Sequence, residues 1–366
     1  MNPNTIMAKL KKGEGYFNYN QRTMTDDYPL SADDRRMWAK MRMMPTDISD
    51  ISAATYTYLL NGHGPEDGLE YLFKKGERVR LRFINGAAAT FFNIRIPGVP
   101  MTVISADGQN VQPVQVDEFQ IGNAETYDVI VEPGSSDAYT IVAESMDRSG
   151  MGLATLASRP GARAAVPPLR DPPLLTMEDM GMSGHGEGGM DHSAHGASGA
   201  VAGAAMADMD MSGGMNMRDG HRVLNYKQLV AAKPNTVRTP TRIKEIHLTG
   251  NMERYMWSFD GKKFSAVTDD PIRFAFNERV RVKLVNDTMM AHPIHLHGHF
   301  FELVNGAKND RQPLKHTVIV QPGGSAQFDL TADEPGDWAF HCHLLYHMHN
   351  GMFQVVTVRP LDGDKS

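Results

Sequence analysis

The chain reads as an all-β protein: two tandem Greek-key β-sandwich domains joined by a Met-, His- and Gly-rich flexible linker. Three observations predict this. Short β-branched and aromatic runs are cut by close Gly, Pro and Asn signals, the pattern of antiparallel sandwiches. That pattern occurs twice, and the two sets resemble each other. Between them lies a low-complexity stretch of Gly, Ala, Ser, Asp and Met that cannot bury a core.

Taken in order, residues 1–50 form a polar connecting segment, with a short helix expected near 32–41 and started by Ser31. The first sandwich spans 51–170, with runs such as Val79-Arg80-Leu81-Arg82-Phe83-Ile84 and Tyr127-Asp128-Val129-Ile130-Val131. The linker covers 171–221, and the second sandwich covers 222–366. Glu77 to Asn85 parallels Glu278 to Asn286, and Tyr127-Asp128-Val129 parallels Phe328-Asp329-Leu330. This is a duplication in which only the second copy keeps a metal motif. Where the second has His292 to His299, the first has Phe91 to Ile96. Opposite His341-Cys342-His343 stands roughly Ile141-Val142-Ala143.

Composition narrows the function. The 366 residues carry a formal charge of −6 and 41% apolar residues, with the basic residues scattered, so nucleic acid is not an expected partner. No run approaches the roughly 20 apolar residues of a membrane span. A single cysteine excludes an internal disulfide. The first residues lack the charged and apolar regions of a signal peptide.

That cysteine sits in the most informative stretch, His341-Cys342-His343-Leu344-Leu345-Tyr346-His347-Met348-His349-Asn350-Gly351-Met352. One Cys, two His and a distant Met are the ligand set of a blue-copper electron-transfer site. His347 supplies one imidazole, and His292 of Ala291-His292-Pro293-Ile294-His295-Leu296-His297-Gly298-His299 is the candidate for the other. Side chains alternate along a strand, so Cys342 points one way while His341 and His343 point the other. His295 and His297 likewise share a face. So many crowded imidazoles cannot all be satisfied without a metal or counter-ions. Zinc fits poorly, because it gains little from a thioether.

The two motifs together resemble the last domain of the multicopper oxidases, and more closely the bacterial copper resistance protein A branch. Asp34-Arg35-Arg36-Met37-Trp38, Tyr56-Thr57-Tyr58-Leu59-Leu60-Asn61-Gly62 and Asn251 to Gly261 support that branch. The resemblance implies that both sandwiches are cupredoxin folds and that copper is the cofactor. It implies that His292, Cys342, His347 and axial Met352 bind type 1 copper, and that His295 is a type 2 ligand. His297, His341 and His343 would be type 3 ligands. His299 and His349 match no ligand position. An axial Met should keep the type 1 potential moderate.

The implied activity takes electrons from Cu(I) or phenolic reductants and reduces dioxygen to water, in the periplasm. Family members draw the other half of the trinuclear cluster from two further His-x-His motifs. Outside the two C-terminal motifs this chain has none, so it holds four of the eight expected ligands. Two expectations follow. Either the sequence is the C-terminal two-thirds of such an enzyme, or it is a non-catalytic copper-binding protein. A two-domain nitrite reductase is disfavoured, because the paired imidazoles exceed the needs of a single catalytic copper.

The linker carries Met177, Met180, Met182, Met190, Met206, Met209, Met211, Met215 and Met217 with His185, His192 and His195. Soft thioethers exposed in a Gly-rich stretch suit Cu(I) capture. The isolated His63, His221, His247 and His316 are expected to be solvated or locally satisfied.

Overall fold

The computed structural model describes residues 2–12, 32, 36, 48–173, 220–251, 254–264 and 270–360. The expected helix near 32–41 lies outside this set except for Ala32 and Arg36, both helical. Met177 to Met217, with His185, His192 and His195, also lie outside it. Among the described residues the chain forms two β-sandwiches.

The first contains β1 (Glu70–Leu72), β2 (Val79–Ile84), β3 (Phe92–Arg95), β4 (Met101–Ala106), β5 (Gln109–Val116), β6 (Glu118–Ile121), β7 (Thr126–Val131), β8 (Ala138–Ser145) and β9 (Met151–Ala157). They form sheets of order β1-β9-β8-β3-β6 and β2-β7-β4-β5. Along β7, buried Tyr127, Val129 and Val131 alternate with half-buried Thr126, Asp128 and Ile130. This is the period-two pattern of a strand with one face in a core.

The second sandwich contains β10 (Arg242–Asn251), β11 (Met256–Phe259), β12 (Ile272–Ala275), β13 (Arg279–Asn286), β14 (His292–Leu296), β15 (Phe301–Leu303), β16 (Leu314–Lys315), β17 (Thr317–Val320), β18 (Ser325–Thr331), β19 (Gly336–Cys342) and β20 (Phe353–Arg359). Its sheets run β11-β10-β13-β18-β15-β16 and β12-β20-β19-β14-β17.

The duplication extends to a shared corner. Asn85 donates to the carbonyls of Thr90 and Ile121 and accepts from Ala87 N–H. Asn286 donates to the carbonyls of Met290 and Val320 and accepts from Thr288 N–H. Both amides satisfy buried backbone groups that the bend would otherwise orphan.

Strand register corrects two of the internal alignments. Ile94 pairs with Ala143 as Ile294 pairs with Cys342. The first-copy counterpart of His341-Cys342-His343 is therefore Val142-Ala143-Glu144, one residue later than expected. Arg80 pairs with Ile130 as Arg281 pairs with Asp329. Val129-Ile130-Val131 thus stands where Tyr127-Asp128-Val129 was expected. A slip of two preserves the inside-outside pattern, so sequence alternation cannot detect it.

Two features lie beyond the sequence reading. Helix α1 (Pro3–Lys12) buries Ile6 and Leu10 in the core of the second sandwich. Between the sandwiches, fully buried Lys315 reaches Asp107 at 2.9 Å and Glu125 at 3.0 Å. Glu125 accepts from Tyr226 Oη at 2.5 Å, and that hydroxyl accepts from Ile319 N–H. After residue 220 the chain packs first on the first sandwich: Leu224 and Leu229 join its core. None of the described helices is long and apolar enough to cross a membrane.

Candidate metal centre

The site is built on one strand pair. In β14 and β19 Ile294 faces Cys342 and His295 faces His341. Strand β17 flanks β14 on the other side, so β14 is covered on both edges and His292 and Ile294 are buried. Pro293 has no N–H to donate, but its carbonyl accepts from His343 N–H at 2.7 Å. Past Cys342 the chain turns into helix α2 (Leu345–His349), which brings His347 back over the strand end. The carbonyl of Met352 accepts from Cys342 N–H, and Met352 N–H donates to His347 C=O, each at 3.0 Å.

This fold gathers His292, Cys342 and His347 into one fully buried triad. The thiol sulfur lies 3.6 Å from His292 Nδ1 and 3.8 Å from His347 Nδ1, and the two nitrogens are 3.1 Å apart. Met352, also fully buried, belongs to the same core. The outer nitrogens are engaged elsewhere. His292 Nε2 is 2.7 Å from Thr288 Oγ1, and His347 Nε2 is 2.7 Å from Asp50 Oδ2. Trp257 stacks on His347 with ring centroids 3.9 Å apart and meets His292 edge-on at 5.1 Å. Asp50 also accepts from Tyr255 Oη at 2.6 Å.

The donor set fits a metal. Burial pushes the Cys342 thiol far up and the His292 imidazole far down. Buried without a cation, the Cys342 thiolate and the His292 imidazolium are both disfavoured. With each Nε2 engaged outward, two Nδ1 lone pairs and a sulfur converge on one point. Neutral imidazoles oriented by outer hydrogen bonds around a soft sulfur are what copper ligation requires.

On the other face four imidazoles meet. Ring centroids lie 4.7 Å apart for His295 and His297, 5.2 Å for His297 and His341, and 5.4 Å for His341 and His343. His297 Nε2 and His341 Nε2 are 3.1 Å apart. His295 Nδ1 bonds the His316 carbonyl at 2.8 Å, and His341 Nδ1 bonds the Cys342 carbonyl at 3.0 Å. His343 Nδ1 is buried without a hydrogen-bond partner. Burial lowers His295 to about 3 and His341 to about 4, and it lowers His343 as well. Unlike the triad, this face is open: His297 is exposed, and His295 and His343 are half-buried.

The remaining histidines divide as follows. His299 Nδ1 bonds the His297 carbonyl and its ring sits beside Trp338, while His349 is exposed. His247 and His221 find carboxylates, and His63 lies near Asp67. His316 bonds Thr317 Oγ1, yet its ring also packs 5.0 Å from His295. Met290 is buried in the core and Met289 packs against it. Sequence reasoning missed Asp50, Thr288 and Trp257. Asp50 and Thr288 carry no local signal, because neither belongs to a metal motif. Trp257 lies in the segment from Asn251 to Gly261, whose sequence signal is the family resemblance alone.

Against known proteins, the multicopper oxidase family matches residues 21–160 and, in a second profile, 238–362. The chain is 45% identical to copper resistance protein A of Escherichia coli over 98% of its own length and 69% of that protein's. It is 44% identical to the copper resistance protein A homolog of Pseudomonas syringae pv. tomato, covering 97% of this chain and 68% of that one. The chain therefore belongs to the multicopper oxidases, of the copper resistance protein A type. Copper is the cofactor of that family. Among solved structures, the multicopper oxidase Fet3p matches with a TM-score of 0.58 at 15% identity, covering 80% of this chain and 57% of that one. A laccase from Botrytis aclada gives 0.56 at 19%, covering 80% and 54%. These likenesses identify both sandwiches as cupredoxin-like.

Proposed function

We propose that the chain holds a type 1 copper between His292 Nδ1, Cys342 Sγ and His347 Nδ1, with Met352 as the weak axial ligand. The observation that carries this reading is a fully buried thiol and two imidazoles, within 3.8 Å of one another, whose outer nitrogens are already bonded. We assign His295 as a type 2 ligand and His297, His341 and His343 as type 3 ligands. Bound copper would supply one-electron chemistry, drawing on Cu(I) or phenolic reductants and reducing dioxygen to water.

The chain's own residues do the positioning. Asp50 and Thr288 hold the two triad rings from outside. The main chain at the end of β19 links the sulfur of Cys342 to the neighbouring imidazoles of His341 and His343 through a few covalent bonds. The carbonyls of His316 and Cys342 hold Nδ1 of His295 and His341, which turns each Nε2 toward the shared face. The periplasm is the compartment this reading favours. The thioethers from Met177 to Met217, with His185, His192 and His195, would capture Cu(I) for it.

Copper-loaded protein should show the intense blue absorption of a thiolate–copper bond, and Cys342→Ser should abolish it. A colourless copper-loaded protein with Cys342 intact would sink the reading. A second reading, copper storage without oxygen reduction, is favoured by one sequence observation. No His-x-His pair exists outside the two C-terminal motifs. An oxygen electrode separates the two: a blue protein that consumes no oxygen with a phenolic reductant supports storage.

A further inference from the structure

The first sandwich has lost its copper motif but has kept the place where that motif would stand. Arg95 pairs with Glu118 as His295 pairs with Thr317, and Glu144 occupies the register position of His343. Imidazoles have thus been replaced by a buried charge cluster. Arg95 and Arg148 both reach Glu144, at 2.8 and 3.3 Å. Asn93 donates to Glu118 at 2.7 Å.

Two further residues complete this cluster, and they stand at opposite ends of the Met- and His-rich segment. Arg170 donates to both oxygens of Glu118, at 2.8 and 2.9 Å, and its Nε and backbone N–H donate to Glu144. His221 Nε2 lies 3.2 Å from Glu118 Oε2, the same oxygen that accepts from Arg170. The returning chain is then sewn to β6. Asp117 and Glu118 N–H donate to Arg222 C=O, and Leu224 N–H donates to Glu118 C=O. The Arg222 guanidinium pairs with Asp117.

We infer that the vacated metal position of the first sandwich serves as a charged socket that roots both ends of the 171–220 segment. Glu118 and Glu144 are fully buried, and buried carboxylates require close cations. Arg170 supplies one and thereby fixes where the segment leaves. His221 and Arg222 fix where it returns. Both points of attachment then lie on the first sandwich, whether or not the thioethers between them take copper.

The test measures the distance between the two ends. Spin labels at Asp171→Cys and Asp219→Cys in the copper-loaded full chain should give a short, narrow distance distribution. A free coil of roughly 50 residues would give about 40 Å, and a broad distribution centred there would overturn the inference. Adding Glu118→Gln with Arg170→Ala should broaden the distribution, and an unchanged one also counts against the socket. If that variant fails to fold, His221→Ala with Arg222→Ala, which leaves both buried carboxylates their arginines, reads out the return side alone. Excision supplies an independent check. Replacing residues 174–219 by about six Gly and Ser residues, which span at most ~20 Å, should preserve the melting temperature and the blue band. Collapse of the fold on that replacement would show that the ends are not held together.

Discussion

Asp50 Oδ2 lies 2.7 Å from Nε2 of His347, and both residues are buried. The pair joins the segment that precedes the first sandwich to the candidate metal centre of the second, 297 positions along the chain. A carboxylate on the outer nitrogen orients the ring and raises its basicity. It also ties the site's electronics to a residue far from any copper motif.

Asp50→Ala should therefore weaken copper binding by about 10–100-fold. It should also raise the type 1 potential, because a less basic imidazole stabilises Cu(II) less. Asp50→Asn should fall between the two proteins, since it keeps an acceptor and loses the charge. Copper titration and redox titration of the blue band check both effects. An unchanged potential in Asp50→Ala would show that the contact only packs.

Thr288 is the corresponding support for His292. Its hydroxyl bonds His292 Nε2 and the side chain of Asn286, each at 2.7 Å. The first copy has Ala87 at this step of the same corner. Thr288→Val should cost about 1–2 kcal/mol through the lost buried hydrogen bonds. Denaturant unfolding of the metal-free protein measures this, and the copper-loaded form should show a shifted blue band.

Gly351 holds the loop that carries Met352. Its φ is +119°, and a Cβ there would lie 2.5 Å from the carbonyl oxygen of Trp257. Gly351→Ala must adopt a disfavoured backbone and also displace the tryptophan strand. A loss of about 2–4 kcal/mol is expected, together with a perturbed axial contact. A melting temperature within a degree of the parent would contradict this.

The interface between the sandwiches should fail in alkali. Burial disfavours the Lys315 charge, but Asp107 and Glu125 outweigh it and hold its pKa above the ordinary 10.5. Tyr127 and Tyr226, facing the same cluster, are held well above 10.0, chiefly by burial. In all three the folded state keeps its proton longer than the unfolded one. Their stabilisation is therefore complete below about pH 10 and drains away above it. Thermal melts between pH 8 and 11.5 should show the decline. Lys315→Met should cost about 3–5 kcal/mol at neutral pH by stranding two buried carboxylates.

Much of the geometry of the candidate metal centre was legible in the sequence. The His292-Pro293-Ile294-His295-Leu296-His297 and His341-Cys342-His343 spacings rest on strand alternation, a local property that fixes which side chains share a face. The buried triad needed only one turn beyond Cys342 to bring in His347. The duplication was legible too, but its register was not. Pairing between strands is set across the sheet, and alternation is blind to a shift of two.

The sequence by itself determined the two sandwiches, the His-x-His and His-Cys-His spacings of the second copy and their absence from the first. Each follows from residue type and short-range period. Only the tertiary structure decided what surrounds those ligands. Asp50 and Thr288 matter because folding carries them to a particular nitrogen. Lys315 matters because it meets two acids from the other sandwich. Glu118 matters because Arg170 and His221 arrive at the same oxygen. Apart from Thr288, which lies four residues from His292, these are contacts between residues distant along the chain, and one-dimensional pattern carries no record of which distant side chains will share a buried, low-dielectric space.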